Sequence, residues 1–137
     1  LRFIFDENHP PIMARVLEPL AVMDGHTATS VRHLGLAGTK DVDLFQILAD
    51  PNIKTVLITA DKAMSRRQHE VAAIRETGAV VVLGVKAWNQ QGDTLERVRM
   101  MVWWWPMILH CSIEADRGSF LELPWANTVR LLRRWRA

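Results

Sequence analysis

Thr-Val-Leu-Ile-Thr-Ala-Asp-Lys, residues 55–62, is the stretch on which the fold turns. Between its two threonines it is uniformly apolar, so both faces of the strand it predicts must be covered. A strand covered on both faces belongs to a parallel sheet with helices above and below. Asp61 ends the run, and a helical segment follows as far as Gly78, a residue suited to closing a helix. Upstream, Leu1 to Phe5 is a shorter apolar run that stops at Asp6-Glu7-Asn8-His9-Pro10-Pro11. Ile12, Val16, Leu17 and Leu20 then fall on one helical face, with Pro10 or Pro11 at the first helical position. Asp24-Gly25 signals a turn, and Thr27 to Val31 predicts a second strand. Gly35 and Gly38 bracket a loop ending in Thr39-Lys40-Asp41, from which a helix runs to Ala49 with Val42, Phe45, Ile47 and Leu48 facing the core. Downstream, Ala79 to Leu83 is a valine-rich strand. Strands and helices alternate throughout, which predicts a three-layer α/β/α sandwich with a mainly parallel central sheet.

The pattern changes after residue 85. Asp93 or Thr94 is placed to cap a helix through Leu95, Val98, Met101 and Val102, whose end Trp103-Trp104-Trp105-Pro106 is expected to disturb. Ser119 to Leu123 predicts a last strand, and Asn127 to Trp135 is either helical or extended. The expected organisation is a single domain over 1–137, with an α/β core at 1–85 and a helix-and-strand extension at 86–137.

Composition narrows the classes. The 137 residues are 49% hydrophobic and 23% charged, an ordinary globular balance large enough for one core. One cysteine, Cys111, forms no internal disulfide, and no secretory leader is apparent, so a cytoplasmic setting is expected. The most apolar tract, Met100 to Ile113, is too short to span a bilayer and contains Pro106 and His110. The net charge of +2 gathers at the end, in Arg130, Arg133, Arg134 and Arg136. A nucleic acid and a solvated face both account for such a tail.

The chemistry-bearing signal is the position of the carboxylates. Asp6 directly follows the first strand, and Asp61 lies two residues beyond the third. Ligands of open parallel sheets bind at the carboxyl ends of the strands, so both acids are expected on one rim. Asp41 and Asp43 open a helix reached from the second strand, and Glu7 adjoins Asp6. Carboxylates brought together resist joint ionisation unless a cation compensates them. An oxygen-only donor set suits Mg²⁺ or Mn²⁺, which activates water and neutralises charge on a phosphate. The five histidines are scattered and offer no zinc spacing. Taken one at a time, Asp6, Asp41 and Asp61 are equally suited to capping helices, with Asn8 and Thr39 as alternative caps. Their joint placement is what favours a site.

Three segments carry a family resemblance. Phe-Ile-Phe-Asp-Glu-Asn-His-Pro-Pro at 3–11, Leu-Gly-Leu-Ala-Gly-Thr-Lys-Asp at 34–41 and Thr-Val-Leu-Ile-Thr-Ala-Asp-Lys at 55–62 resemble, in that order, the small bacterial PIN-like domains. The resemblance spans roughly residues 1–85. It implies a metal-dependent ribonuclease, in many cases the toxin of a toxin–antitoxin pair. By position it assigns Asp6, Asp41 and Asp61 to the metal and the attacking water, Glu7 and Asp43 to supporting or alternate ligands, and Lys62 to a phosphate oxygen. Two departures stand out. The middle acid is an aspartate where the larger family has a glutamate, and Lys62-Ala63-Met64-Ser65 occupies the stretch where a fourth aspartate commonly follows. A weakened or single-metal site is therefore an expectation too.

Lys62, Arg66, Arg67 and His69 make the next helix start basic, suiting an RNA backbone or simply a solvated face in which Arg66 pairs with Glu70. There are six tryptophans and no tyrosine. Of the consecutive Trp103–Trp105, at least one is expected to face outward, toward a homodimer or another protein partner, with base stacking on RNA the lesser alternative. Two rival functions remain: a non-catalytic PIN-like module binding RNA or protein, and a phosphoacceptor receiver domain, which needs a rim lysine such as Lys86.

Overall fold

The computed structural model describes residues 1–137. β1 (Arg2–Phe5) leads to α1 (Ile12–Met23), β2 (Thr27–Ser30), α2 (Asp41–Leu48) and β3 (Thr55–Thr59). A 3₁₀ turn at Lys62–Ser65 precedes α3 (Gln68–Thr77), β4 (Val80–Gly84), α4 (Ala87–Gln90), α5 (Thr94–Glu114), β5 (Ser119–Leu123) and β6 (Arg133–Arg136). The six strands form one sheet in the order β2-β1-β3-β4-β5-β6. Every pairing is parallel except β5 with β6.

Alternation along the strands sorts the core into two layers. Phe3, Phe5, Val56, Ile58, Val80, Val82, Leu121 and Leu123 face α1, α4 and α5, where Leu17, Trp88, Trp104 and Ile108 meet them. Ile4, Leu57, Val81, Leu83 and Phe120 face the opposite way, onto Leu44, Phe45, Ala73 and Ile74 of α2 and α3. The α/β/α sandwich read from the apolar runs is thus the observed architecture. No helix is long and apolar enough to cross a membrane.

Several local expectations need correction. The buried stripe of α1 is Met13, Ala14, Leu17 and Ala21, while Ile12 is exposed. In α2, Leu44 takes the inward place expected of Ile47, which is exposed. The helix expected to run on from Asp61 is split into the 3₁₀ turn and α3. Pro106 does not end α5, which continues to Glu114. An interior proline costs about 3 kcal/mol. Trp104 and Trp105, both almost fully buried, together offset more than that at roughly 25 cal/mol per Å² over about 200 Å² each. Trp103 is the outward member of the trio, about half exposed, with its indole N–H donating to the carbonyl of Thr128. The closing segment is extended, as β6.

Chain direction sets where the two kinds of helix end fall. Helices returning antiparallel to parallel strands place their C-termini at the strand N-terminal rim and their N-termini at the opposite rim. Cations collect at the first. Lys54 donates to the carbonyls of Ser112, Ile113 and Ala115 at the end of α5, at 2.8, 3.0 and 2.7 Å. Arg2 donates to the Leu48 carbonyl closing α2, and Arg117 to the carbonyls of Asp50 and Pro51. Gly78 closes α3 at a φ of +73°, and a Cβ there would press on the Arg117 side chain at 3.1 Å.

Candidate functional site

The opposite rim is built from the residues that leave β1 and β3. Asp6 follows β1, and its Oδ2 accepts a 2.8 Å hydrogen bond from the Thr59 hydroxyl at the end of β3. The backbone N–H of Asp61 donates to the same hydroxyl oxygen at 3.0 Å. Asn8 crosses between the strands, donating to Thr59 Oγ1 and accepting from the Ala60 N–H. Asn8 therefore fixes β1 to β3 and caps no helix. Asp61 does act as a cap, since its Oδ1 accepts from the Ala63 N–H and starts the 3₁₀ turn. Its Oδ2 remains turned to the rim, 3.0 Å from Arg67 Nη1.

Asp41, the first residue of α2, brings the third carboxylate. Burial, a hydrogen bond shared with Glu70, and the charges of Asp6, Glu70 and Asp61 push its carboxyl up to about 7. Burial also raises Asp6, opposed by hydrogen bonds from the Glu7 N–H and Thr59 and reinforced by the charges of Glu7 and Asp61. So the three acids picked out in the sequence lie close enough to feel one another.

Glu70 is the member that the sequence reading missed. It is 7% exposed and lies on the inward stripe of α3 with Ala73 and Ile74. A charged residue at i, with apolar partners at i+3 and i+4, is the signal that was available. The expected Arg66–Glu70 pair is replaced by Arg67–Glu70, at 2.9 Å. Arg67 is thereby corrected as a free nucleic-acid contact: its guanidinium is committed to Glu70, Asp61 and Asp41. Lys62 and Arg66 are solvent-accessible and carry no ion pair, as an RNA contact requires. Asp43 is exposed on the lip of an open cleft of about 610 Å³, lined also by Lys40, Asp41, Arg67, His69 and Glu70. Glu7 accepts the Gly38 N–H at 2.6 Å, pinning the loop that delivers Asp41.

Behind the acids, His9 is buried against Phe5 and Trp88, and Arg97 of α5 donates to its Nδ1 and to the Asn8 carbonyl. Burial and the Arg97 charge hold the imidazole neutral, with its pKa lowered to about 3. This contact ties α5, outside the α/β core, to the loop bearing Asp6. Lys86 sits at the start of α4 and is exposed, with no hydrogen bond or ion pair to an acid of the rim, unlike the lysine that a receiver domain needs.

The donor set is chemically right for a hard divalent cation: carboxylate oxygens, buried enough to be short of counter-charge. In the observed side-chain arrangement no three of them converge on a metal position, and the only cation paired to the cluster is Arg67. Comparison with curated proteins and with solved structures returned no match. A protein-family comparison did: a model described as a PIN like domain matches residues 1–85. The matched segment is more than half of the chain and carries Asp6, Asp41, Asp61 and Glu70 together, and the chain accordingly belongs to the PIN-like domain family.

Proposed function

We propose that this protein is a metal-dependent endoribonuclease of PIN type, with Mg²⁺ or Mn²⁺ held by Asp6, Asp41 and Asp61. The carrying observation is the placement of Asp6, Asp41 and Asp61 on one rim, where burial and then one another's charges disfavour their joint ionisation. A divalent ion bound there supplies a nucleophilic water at neutral pH and a counter-charge for the scissile phosphate. The remaining work falls to the chain. Thr59 orients the Asp6 carboxylate, and the Ala63 N–H fixes the rotamer of Asp61. Glu7 holds the loop before Asp41. Lys62 and Arg66, exposed at the two ends of the 3₁₀ turn that Asp61 starts, meet the RNA backbone. Action as the toxin of a toxin–antitoxin pair, with an antitoxin-type protein partner, belongs to the same proposal and is supported by the three resembling segments.

The non-catalytic alternative, an RNA- or protein-binding module, has one observation in its favour. Arg67 already gives the acids a cation, so the fold does not depend on a metal. Incubating the protein and its Asp6→Asn/Asp61→Asn variant with a mixed single-stranded RNA pool, in Mg²⁺, Mn²⁺ or EDTA, separates the two. Metal-dependent cutting by the wild type alone is the expected result; no cutting by folded wild type with either ion hands the function to the binding module.

A further inference from the structure

The carboxylate rim carries a cation of its own, and the role assigned to that cation below rests on the rim being a divalent-metal site. Arg67 ends the irregular stretch between the 3₁₀ turn and α3. Its Nη1 lies 2.9 and 3.0 Å from the two oxygens of Glu70, 3.0 Å from Asp61 Oδ2 and 3.8 Å from Asp41 Oδ2. Nη2 reaches Asp61 Oδ1 at 3.4 Å. One guanidinium nitrogen is thus shared by carboxylates from three separate segments: the start of α2, the junction after β3 and the first turn of α3.

A divalent ion bound by Asp41 and Asp61 needs oxygens of those same carboxylates at about 2.0–2.1 Å, with the doubly charged ion among them. A guanidinium held where Arg67 now sits cannot stay beside it. The two cations compete for one set of oxygens, and the partners differ in how firmly they hold the arginine. Glu70 is buried, accepts from Arg67 through both carboxylate oxygens, and lies three residues along the chain in the first turn of α3. Asp61 belongs to another element and is held independently by the Ala63 N–H. The Arg67 side chain is 43% exposed, so solvent lies open to it on one side.

We propose that Arg67 is a positioning residue acting as a displaceable internal counter-cation. It gathers Asp41, Asp61 and Glu70 while the site has no metal, and it yields Asp61 and Asp41 to the incoming divalent ion by pivoting on Glu70. Planarity is what makes arginine suited to this place: its fork spans carboxylates on different elements, whereas a lysine ammonium acts as a point charge. Metal occupancy then depends on an exchange of cations, and the concentration of free divalent ion that fills the site is set partly by Arg67.

The test is Mn²⁺ binding, by isothermal titration calorimetry on folded full-length protein, for wild type, R67Q, R67K and the Asp6→Asn/Asp61→Asn variant. Removing the competitor is expected to tighten Mn²⁺ binding roughly threefold to fivefold in R67Q, the scale of breaking a partly exposed ion pair. R67K should fall between R67Q and wild type. The arginine Nε–H resonance of Arg67 should shift during a parallel Mg²⁺ titration with the same midpoint as binding. Unchanged or weaker Mn²⁺ binding in R67Q, while wild type binds and the Asp6→Asn/Asp61→Asn variant does not, overturns the exchange and leaves the metal reading standing. A resonance that stays fixed as the metal binds overturns it equally. Absence of binding in wild type and R67Q alike defeats the metal reading itself, and the exchange with it.

Discussion

The two rims of the sheet hold charge in opposite ways. At the strand N-terminal rim, Arg2, Lys54 and Arg117 all end on neutral carbonyl oxygens, several of them at helix C-termini, where a cation also meets the favourable end of the dipole. Each cation there is spent on holding elements together. At the C-terminal rim, Asp41, Asp61 and Glu70 are gathered around a single guanidinium with Asp6 near enough to be felt by Asp41, and Asp41 keeps its proton to near neutral pH. Charge that is fully used marks structure; charge left in excess marks a place prepared for something else.

The comparison breaks first, and hardest, at the acids. Asp6→Asn and Asp61→Asn should each lower metal-dependent RNA cleavage by roughly a hundredfold or more, while the thermal midpoint in EDTA stays level or rises. A gel-based cleavage assay beside a melting curve reads both, and full activity in either variant removes the site assignment. On the other rim the expectation inverts. Lys54→Met should cost about 2 kcal/mol of stability, since it strips three carbonyls of a charged donor, and should leave cleavage per folded molecule unaltered. Denaturant unfolding together with the same assay checks this.

Asp41 sharpens the contrast through pH. Its folded carboxyl is raised from 3.8 to about 7, so the stability linked to its proton is fully present below 3.8 and is lost as pH rises through 7. Metal-free wild type should therefore lose stability across that interval by this route, and Asp41→Asn should lose less; parallel melting curves from pH 4 to 8 in EDTA decide it. The smallest effect is expected from the exposed cations. Lys62→Gln and Arg66→Gln should each weaken RNA binding about twofold to fivefold at low salt, with a shallower salt dependence and unchanged stability, measured by fluorescence anisotropy.

Most of the fold was legible because buried parallel strands announce themselves: 55–59 is apolar between its two threonines, and 79–83 is apolar throughout and flanked by glycines. The positions of Asp6 and Asp61 followed from strand ends alone, and their mutual influence followed from strand order. Other features depend on contacts that local pattern does not carry. Glu70 was hidden because its partner comes from the break between the 3₁₀ turn and α3, where one residue of phase decides whether Arg66 or Arg67 faces the acids. The passage of α5 through Pro106 depends on tryptophan burial against Phe3 and Phe5, contacts about a hundred residues distant along the chain. The face of α1 was misphased because small Ala14 and Ala21 give a weak apolar signal although both are buried.

β6 carries one more consequence. As the outermost strand at its side of the sheet it offers a row of backbone groups to any passing chain, the usual invitation to edge-to-edge aggregation. Its sequence is Arg-Arg-Trp-Arg, with Arg133 paired across to Glu122, Arg136 to Asp116, and Arg134 exposed. An incoming strand of the same protein would set arginine against arginine. The basic tail that invites a nucleic-acid reading therefore also works as a gatekeeper, keeping concentrated molecules apart at the edge where they would otherwise stack.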